Sequence, residues 1–274
     1  MKKYKVLFPA GKEKALTFSY DDNQIYDRDL IALMKKFHVK GTFHINTSTI
    51  GTSQNGNTFV TSEEFSNLYS GMEVSCHGVH HPYFGQFSPL EMTQEILQDK
   101  EALEALCHYP VRGMSYPFGE YSEKIMSVMS ASGMEYSRTV EDTHGFSWPS
   151  NFLSWHPSCH HNIVLKDDTL TNEFLHLPDY RNLPLFYIWG HSFEFHRENT
   201  FDAFSDFLAK VADKPDVWYA TNIEIKDYIT AVRSLVYQAD GSAVYNPSAC
   251  RICFYLYDTD QIVFVNPGQL YFFR

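Results

Sequence analysis

Two short clusters hold residues that can do chemistry together. Asp21-Asp22 ends the apolar run Ala15-Leu16-Thr17-Phe18-Ser19-Tyr20, and His77-Gly78-Val79-His80-His81-Pro82 follows Met72-Glu73-Val74-Ser75-Cys76. Adjacent carboxylates are costly to keep ionised unless something positive lies beside them. Two imidazoles four residues apart reach one metal ion if the chain turns between them. A carboxylate then completes a two-His, one-carboxylate site with open positions. Such a combination is a hydrolytic metal centre. Singly, the Asp pair reads as a solvated turn, and His-x-x-x-His arises by chance in a chain with 13 His. Their shared position, each at the end of a strand-like run, favours function over accident.

Two further segments extend the pattern. Arg112-Gly113-Met114-Ser115-Tyr116-Pro117-Phe118-Gly119 follows a short extended stretch, and Leu185-Phe186-Tyr187-Ile188-Trp189-Gly190-His191 is an apolar strand ending in His. With these four in this order, residues 14 to 230 resemble the polysaccharide deacetylases, family four of the carbohydrate esterases. Their signature is Asp-Asp after a first strand, His-x-x-x-His-Pro after a third, Arg before Pro-aromatic-Gly, and a late strand ending in His. Each motif is weak alone; the ordered set is specific.

The resemblance implies a role for each residue. Asp22, His77 and His81 hold the metal, with Zn²⁺ the default and Co²⁺, Ni²⁺ or Fe²⁺ compatible with the same donors. Asp21 is left free to act as general base, and the nearby cation keeps it ionised. The backbone N–H of Phe118 joins the metal in stabilising the oxyanion, and His191 protonates the departing amine. Arg112 matches the Arg that orients the base. Tyr116, Pro117, Phe118, Trp155 and Trp189 are the candidates for lining the substrate. The sequence departs from the family in three places. Four residues separate Arg112 from Pro117, Trp189 stands where Leu is usual, and the Asp-x-x-Asp-Trp motif is not recognisable. Trp155 and the His156–His161 stretch are offered in place of that motif.

Composition narrows the function class. The chain has 274 residues, 33 acidic against 22 basic, for a net charge of −11. Without a basic run, this charge argues against nucleic-acid or anionic-membrane partners. Phe 22, Tyr 18 and Trp 4 supply a large core and rings on which sugars can stack. No stretch has the length of a membrane span, and the first twenty residues lack a signal-peptide core, so the expected compartment is the cytoplasm. Five scattered cysteines fit reduced thiols.

These groups need a scaffold, and the alternation of strand and helix patterns supplies one. Strand-like runs lie near 15–20, 40–45, 72–76, 111–115, 134–138, 185–190 and 216–220, separated by amphipathic helices. The first helix carries Leu30, Leu33, Met34 and Phe37 at helical spacing. Ser88-Pro89-Leu90-Glu91 reads as a capping box with Pro in the first turn, and Asn222 as the cap of the last helix. The expected fold is an α/β, distorted (β/α)7 barrel over residues 1–237, with a small β-rich element over 238–274. Catalytic groups of such barrels gather at the carboxyl ends of the strands. Residues 46–62 read as a hairpin or loop on that face, and 139–183 as a long irregular stretch.

The expected activity is removal of N-acetyl groups from an N-acetylated amino sugar in a polysaccharide or oligosaccharide, by metal-activated water. The alternatives are an amidase or esterase acting on acetylxylan or a ureide, and an inactive carbohydrate-binding homologue.

Overall fold

Buried β-branched and aromatic runs become the staves of a curled parallel sheet. The computed structural model describes residues 3–178 and 182–273. In chain order the first strands are β1 (Tyr4–Leu7), β2 (Lys14–Asp21), β3 (Gly41–Ile45), the hairpin β4 (Ser53–Gln54) and β5 (Asn57–Thr58), and β6 (Glu73–Cys76). Next come β7 (Gly113–Ser115), β8 (Tyr136–Arg138), β9 (Cys159–His160), β10 (Leu185–His191) and β11 (Val217–Tyr219). The last are β12 (Val236–Tyr237), β13 (Ala243–Tyr245), β14 (Ile252–Leu256), β15 (Gln261–Val265) and β16 (Leu270–Phe272).

The main sheet runs β8-β7-β6-β3-β2-β10-β9, all parallel, with β11 pairing the start of β2. Every residue of β2 is buried, as expected of a parallel strand covered on both faces. The segment from Trp155 to His160 closes the curl. Trp155 bonds β8 through Ser137 and Thr139, and Ser158 and the following β9 pair with β10. The result is the distorted (β/α)7 barrel expected from the alternation of elements.

Helices cover the outside. Asp27–Lys36 buries Leu30, Ile31 and Met34, with acidic residues in its first turn and lysines in its last to complement the helix dipole. Pro89–Cys107 starts at Ser88, whose capping box with Glu91 is fully formed. For the helix Asn222–Arg233 the cap is Thr221, not Asn222. Thr221 sits three residues before Glu224 and exchanges both capping-box bonds with it. Asn222 instead turns inward, donating to the Tyr187 hydroxyl at 2.7 Å.

The chain ends share one layer. β1 pairs antiparallel with β14, which pairs with β15, while β12, β13 and β16 form a second small sheet. A common core joins Phe8 and Tyr228 of the barrel to Val244, Phe254 and Phe273. Among the described residues, no helix is long and apolar enough to cross a membrane.

Candidate metal centre and active site

Strand register sets the positions of the reactive groups. Asp21 at the end of β2 lies opposite His44 of β3 on one side and His191 of β10 on the other. Ser115 at the end of β7 lies opposite Arg138 at the end of β8. His77 follows β6 by one residue. All of these fall at the carboxyl ends of the strands, the end used for chemistry in such barrels.

Asp22, His77 and His81 meet there. His77 Nε2 and His81 Nε2 lie 3.6 and 3.9 Å from Asp22 Oδ1. Ligands about 2.0–2.2 Å from one tetrahedral ion sit roughly 3.3 Å apart, so the three atoms already have nearly the spacing a divalent metal needs. The tautomer of His77 suits this too. Its Nδ1 lies 2.9 Å from the Ser115 carbonyl, which can only accept, so the proton is on Nδ1 and Nε2 is free to ligate. Burial, with Asp21 alongside, pushes the Asp22 carboxyl up, a cost that a bound cation would remove. His80 faces away, 3.2 Å from Glu95.

Asp21 is held by different partners. Burial works against its charge, yet the Arg138 guanidinium, with His77, His44 and His191 assisting, holds its carboxyl well below the usual range. Arg138 is fully buried and donates to Asp21 Oδ2, to Ser19 Oγ and to the Thr139 carbonyl. Ser115 donates to the other Asp21 oxygen at 3.1 Å and bridges to His77. In sheet order β8 is four strands from β2, about 19 Å if flat, far beyond an arginine's reach. The contact exists only because the sheet curls.

His191 turns its Nε2 toward Asp22, 3.9 Å from Oδ2, and its Nδ1 toward Glu194, 3.2 Å away. Burial disfavours the imidazolium, but Glu194, Asp21 and Asp22 together raise its pKa. Glu194 Oε2 also lies 3.0 Å from His160 Nε2 and 3.6 Å from the buried His161. His160, His161 and Glu194 form a second group with ligand-like spacing. However, His160 Nδ1 accepts the Asn162 backbone N–H, so the proton sits on Nε2 and points at Glu194. That tautomer makes the group a hydrogen-bonded brace for His191 rather than a second cation site.

Several expected residues lie elsewhere. Arg112 does not touch Asp21; it precedes β7, at the opposite end of the barrel, where it pairs with Glu135 and Asp227. Trp155 does not line a substrate surface, being 0% exposed and packed edge-on against Tyr136, Phe152 and Tyr187. Tyr116 is likewise buried, its hydroxyl donating to the Leu153 carbonyl, and Pro117 is buried beside it. Phe118 is exposed next to His81. Trp189 is half-buried over Arg138, with Nε1 donating to Asp142 at 2.9 Å.

Arg138, Ser115 and Glu194 carry no site role in the sequence reading, whereas His160 belongs to the His156–His161 stretch offered for the missing motif and reaches His191 through Glu194. Only Glu194 carried a local signal, three residues after His191 at the start of a helix, where it completes a capping box.

Residues 9–137 match the family model described as polysaccharide deacetylase. YxkH of Bacillus subtilis (strain 168), provisionally named a polysaccharide deacetylase, is 22% identical over 131 residues, which are 47% of this chain and 46% of that protein. The chain thus spans about half the length of the curated relative it matches. Among solved structures, a provisionally named polysaccharide deacetylase from Mycobacterium smegmatis is similar with a TM-score of 0.58 and 17% identity, covering 84% of this chain and 94% of that one. The Xyl-CE4 domain of a multidomain xylanase from the hindgut metagenome of Trinervitermes trinervoides has a TM-score of 0.53 and 14% identity, covering 80% and 92%. At these identities, the structural likeness establishes the fold.

Proposed function

We propose that this chain, a member of the polysaccharide deacetylase family, is a metal-dependent hydrolase that removes acetyl groups from an N-acetylated amino sugar. The carrying observation is the meeting of Asp22, His77 and His81 within ligand distance of one another, with Asp21 and His191 flanking them. A divalent ion held by those three donors, Zn²⁺ by default and Co²⁺, Ni²⁺ or Fe²⁺ by the same donor chemistry, would polarise the acetyl carbonyl and acidify water.

The chain's own groups supply the proton transfers. Asp21 is held ionised by Arg138 and takes a proton from the attacking water. Ser115 and Arg138 fix both of its oxygens, so the lone pair that receives the proton keeps one direction. Glu194 raises the pKa of His191, which favours the imidazolium, and His191 gives its Nε2 proton to the departing sugar nitrogen. The Phe118 N–H, by likeness to the family motif, faces the developing oxyanion.

The test is acetate release from N-acetylated oligosaccharides after chelation and reloading with defined metals. Activity that tracks one bound metal per chain, with both lost in His77→Ala, is the expected result. Full metal occupancy in a His77→Ala/His81→Ala double variant would remove the assignment. Acetate release from acetylated xylan alone would move the substrate to an ester.

A further inference from the structure

We propose that Asp99 and Glu95 are positioning residues for the metal: they hold the loop after β6 in the bend that lets His77 and His81 reach one ion. The inference rests on the metal reading above and concerns two carboxylates outside the donor cluster. Both lie on the helix Pro89–Cys107, one turn apart and therefore on one face. Asp99 is fully buried and Glu95 nearly so.

Their oxygens face the backbone of the ligand loop. Asp99 Oδ2 accepts the N–H groups of His77 and Gly78, each at 3.0 Å. Glu95 Oε1 accepts the His80 N–H at 2.5 Å. The other Asp99 oxygen accepts the Thr47 hydroxyl at 2.8 Å and the Thr47 N–H at 3.2 Å. Asp99 therefore joins the ligand loop to the loop after β3. That second loop grips the same residues from the acceptor side. Asn46 Nδ2 donates to the His77 and Gly78 carbonyls at 2.8 and 3.0 Å, and the Ser48 N–H donates to the Val79 carbonyl at 3.1 Å.

The ligand loop needs this hold. Gly78 and His81 both lie in the left-handed region, at φ 79 and φ 51. A non-glycine residue keeps that conformation only where its surroundings impose it. An extended chain would carry His81 about 13 Å from His77. The bend instead leaves the two imidazole rings 4.7 Å apart, with Asp22 Oδ1 within 3.9 Å of both Nε2 atoms. A backbone anchored at 77, 78 and 80 fixes where both ligands start, before any ion arrives.

The experiment measures Zn²⁺ affinity of the chelated protein by competition with a chromophoric chelator, and the Tm with and without Zn²⁺. Asp99→Ala should bind Zn²⁺ about 10–100-fold more weakly, the scale seen when a group that orients a ligand is lost. The rise in Tm on adding Zn²⁺ should shrink with it. Asp99→Asn keeps an oxygen for the His77 and Gly78 N–H groups and should recover most of the affinity. Glu95→Ala should show a smaller loss, restored in Glu95→Gln, and this pair carries the test if Asp99→Ala does not fold. A lower metal-free Tm with unchanged Zn²⁺ affinity, in every alanine variant that folds, would make the two residues merely structural and overturn the proposal. Equal losses in Asp99→Ala and Asp99→Asn would overturn it as well, because the effect would then belong to charge and not to anchoring. A wild type that takes up no Zn²⁺ removes the metal centre itself and the anchoring with it.

Discussion

Replacing Arg138 by Met leaves the Asp21 carboxylate buried without its countercharge. Asp21 is 3% exposed and Arg138 0%, so water cannot take over. Breaking a buried pair by removing one partner costs about 3–5 kcal/mol, a large part of the 5–15 kcal/mol by which domains are stable. For a chain of this size, that corresponds to a fall in Tm of roughly 6–20 °C. Burial alone raises the Asp21 carboxyl, and Arg138 is the largest of the groups that lower it. Its removal therefore moves the pKa up and shifts the acidic limb of the kcat/KM profile to higher pH. The linkage has a defined sign: a carboxyl depressed by folding contributes stability above its unfolded pKa and loses it as pH falls through the folded one. The Arg138→Met variant should therefore lose the stability that the wild type has gained by neutral pH. A double-mutant cycle isolates the effect. Adding Asp21→Asn to Arg138→Met removes the orphaned charge and should recover much of the lost Tm, giving a strong favourable coupling. Thermal unfolding of the four proteins at pH 7 is the assay. Additive losses would refute the buried pair, as would a larger loss of turnover in Arg112→Ala than in Arg138→Met.

Glu194→Gln should lower the pKa of His191; because the acid must be protonated, the alkaline fall in kcat/KM should move to lower pH, and an unmoved limb would separate Glu194 from the acid. Asp27 is pushed up to about 7 by burial, against an opposing hydrogen bond from the Tyr69 hydroxyl at 2.7 Å. A carboxyl raised on folding holds its proton more tightly when folded, so stability falls as pH rises from about 4 to 7. Asp27→Asn should be more stable than wild type at pH 8 and lose that advantage at pH 4 in denaturant titrations. Trp155→Ala should cost about 3–5 kcal/mol of stability while leaving metal stoichiometry unchanged, as expected of a core ring.

The sequence carried the site wherever a reactive residue directly follows a long buried run. Asp21, His77 and His191 each end such a run, and placing the runs in parallel brings the residues to one end of the barrel. The arginine paired with Asp21 was hidden because its element, Tyr136–Arg138, is three residues long and its partner is 117 positions away. Arg112 misled because it precedes β7. Three residues of strand, about 10 Å, separate it from Ser115 at the reactive end. Composition alone could not tell Trp155, closing the barrel from inside, from a ring lining a groove. His160 joins the site through pairing opposite Trp189, and no local pattern announces that register. The tail strands were legible because the apolar runs 251–257 and 261–265 are parted by Asp258-Thr259-Asp260 and followed by Pro267-Gly268; the pairing of β14 with β1, far away in the sequence, was not.

The pairing of Tyr4–Leu7 with Cys253–Leu256 sets an order of events during synthesis. β1 leaves the ribosome well before its partner, which lies about 250 positions further along the chain. At 5–20 residues per second the strand waits roughly 10–50 s with its hydrogen-bonding edge open. The Asp-Asp and His motifs emerge much earlier than β14. The half of the barrel that carries Asp22, His77 and His81 can therefore assemble while its floor is still missing, and Tyr4, stacked at 3.9 Å on Phe273, is then set in place only after Phe273 has been made.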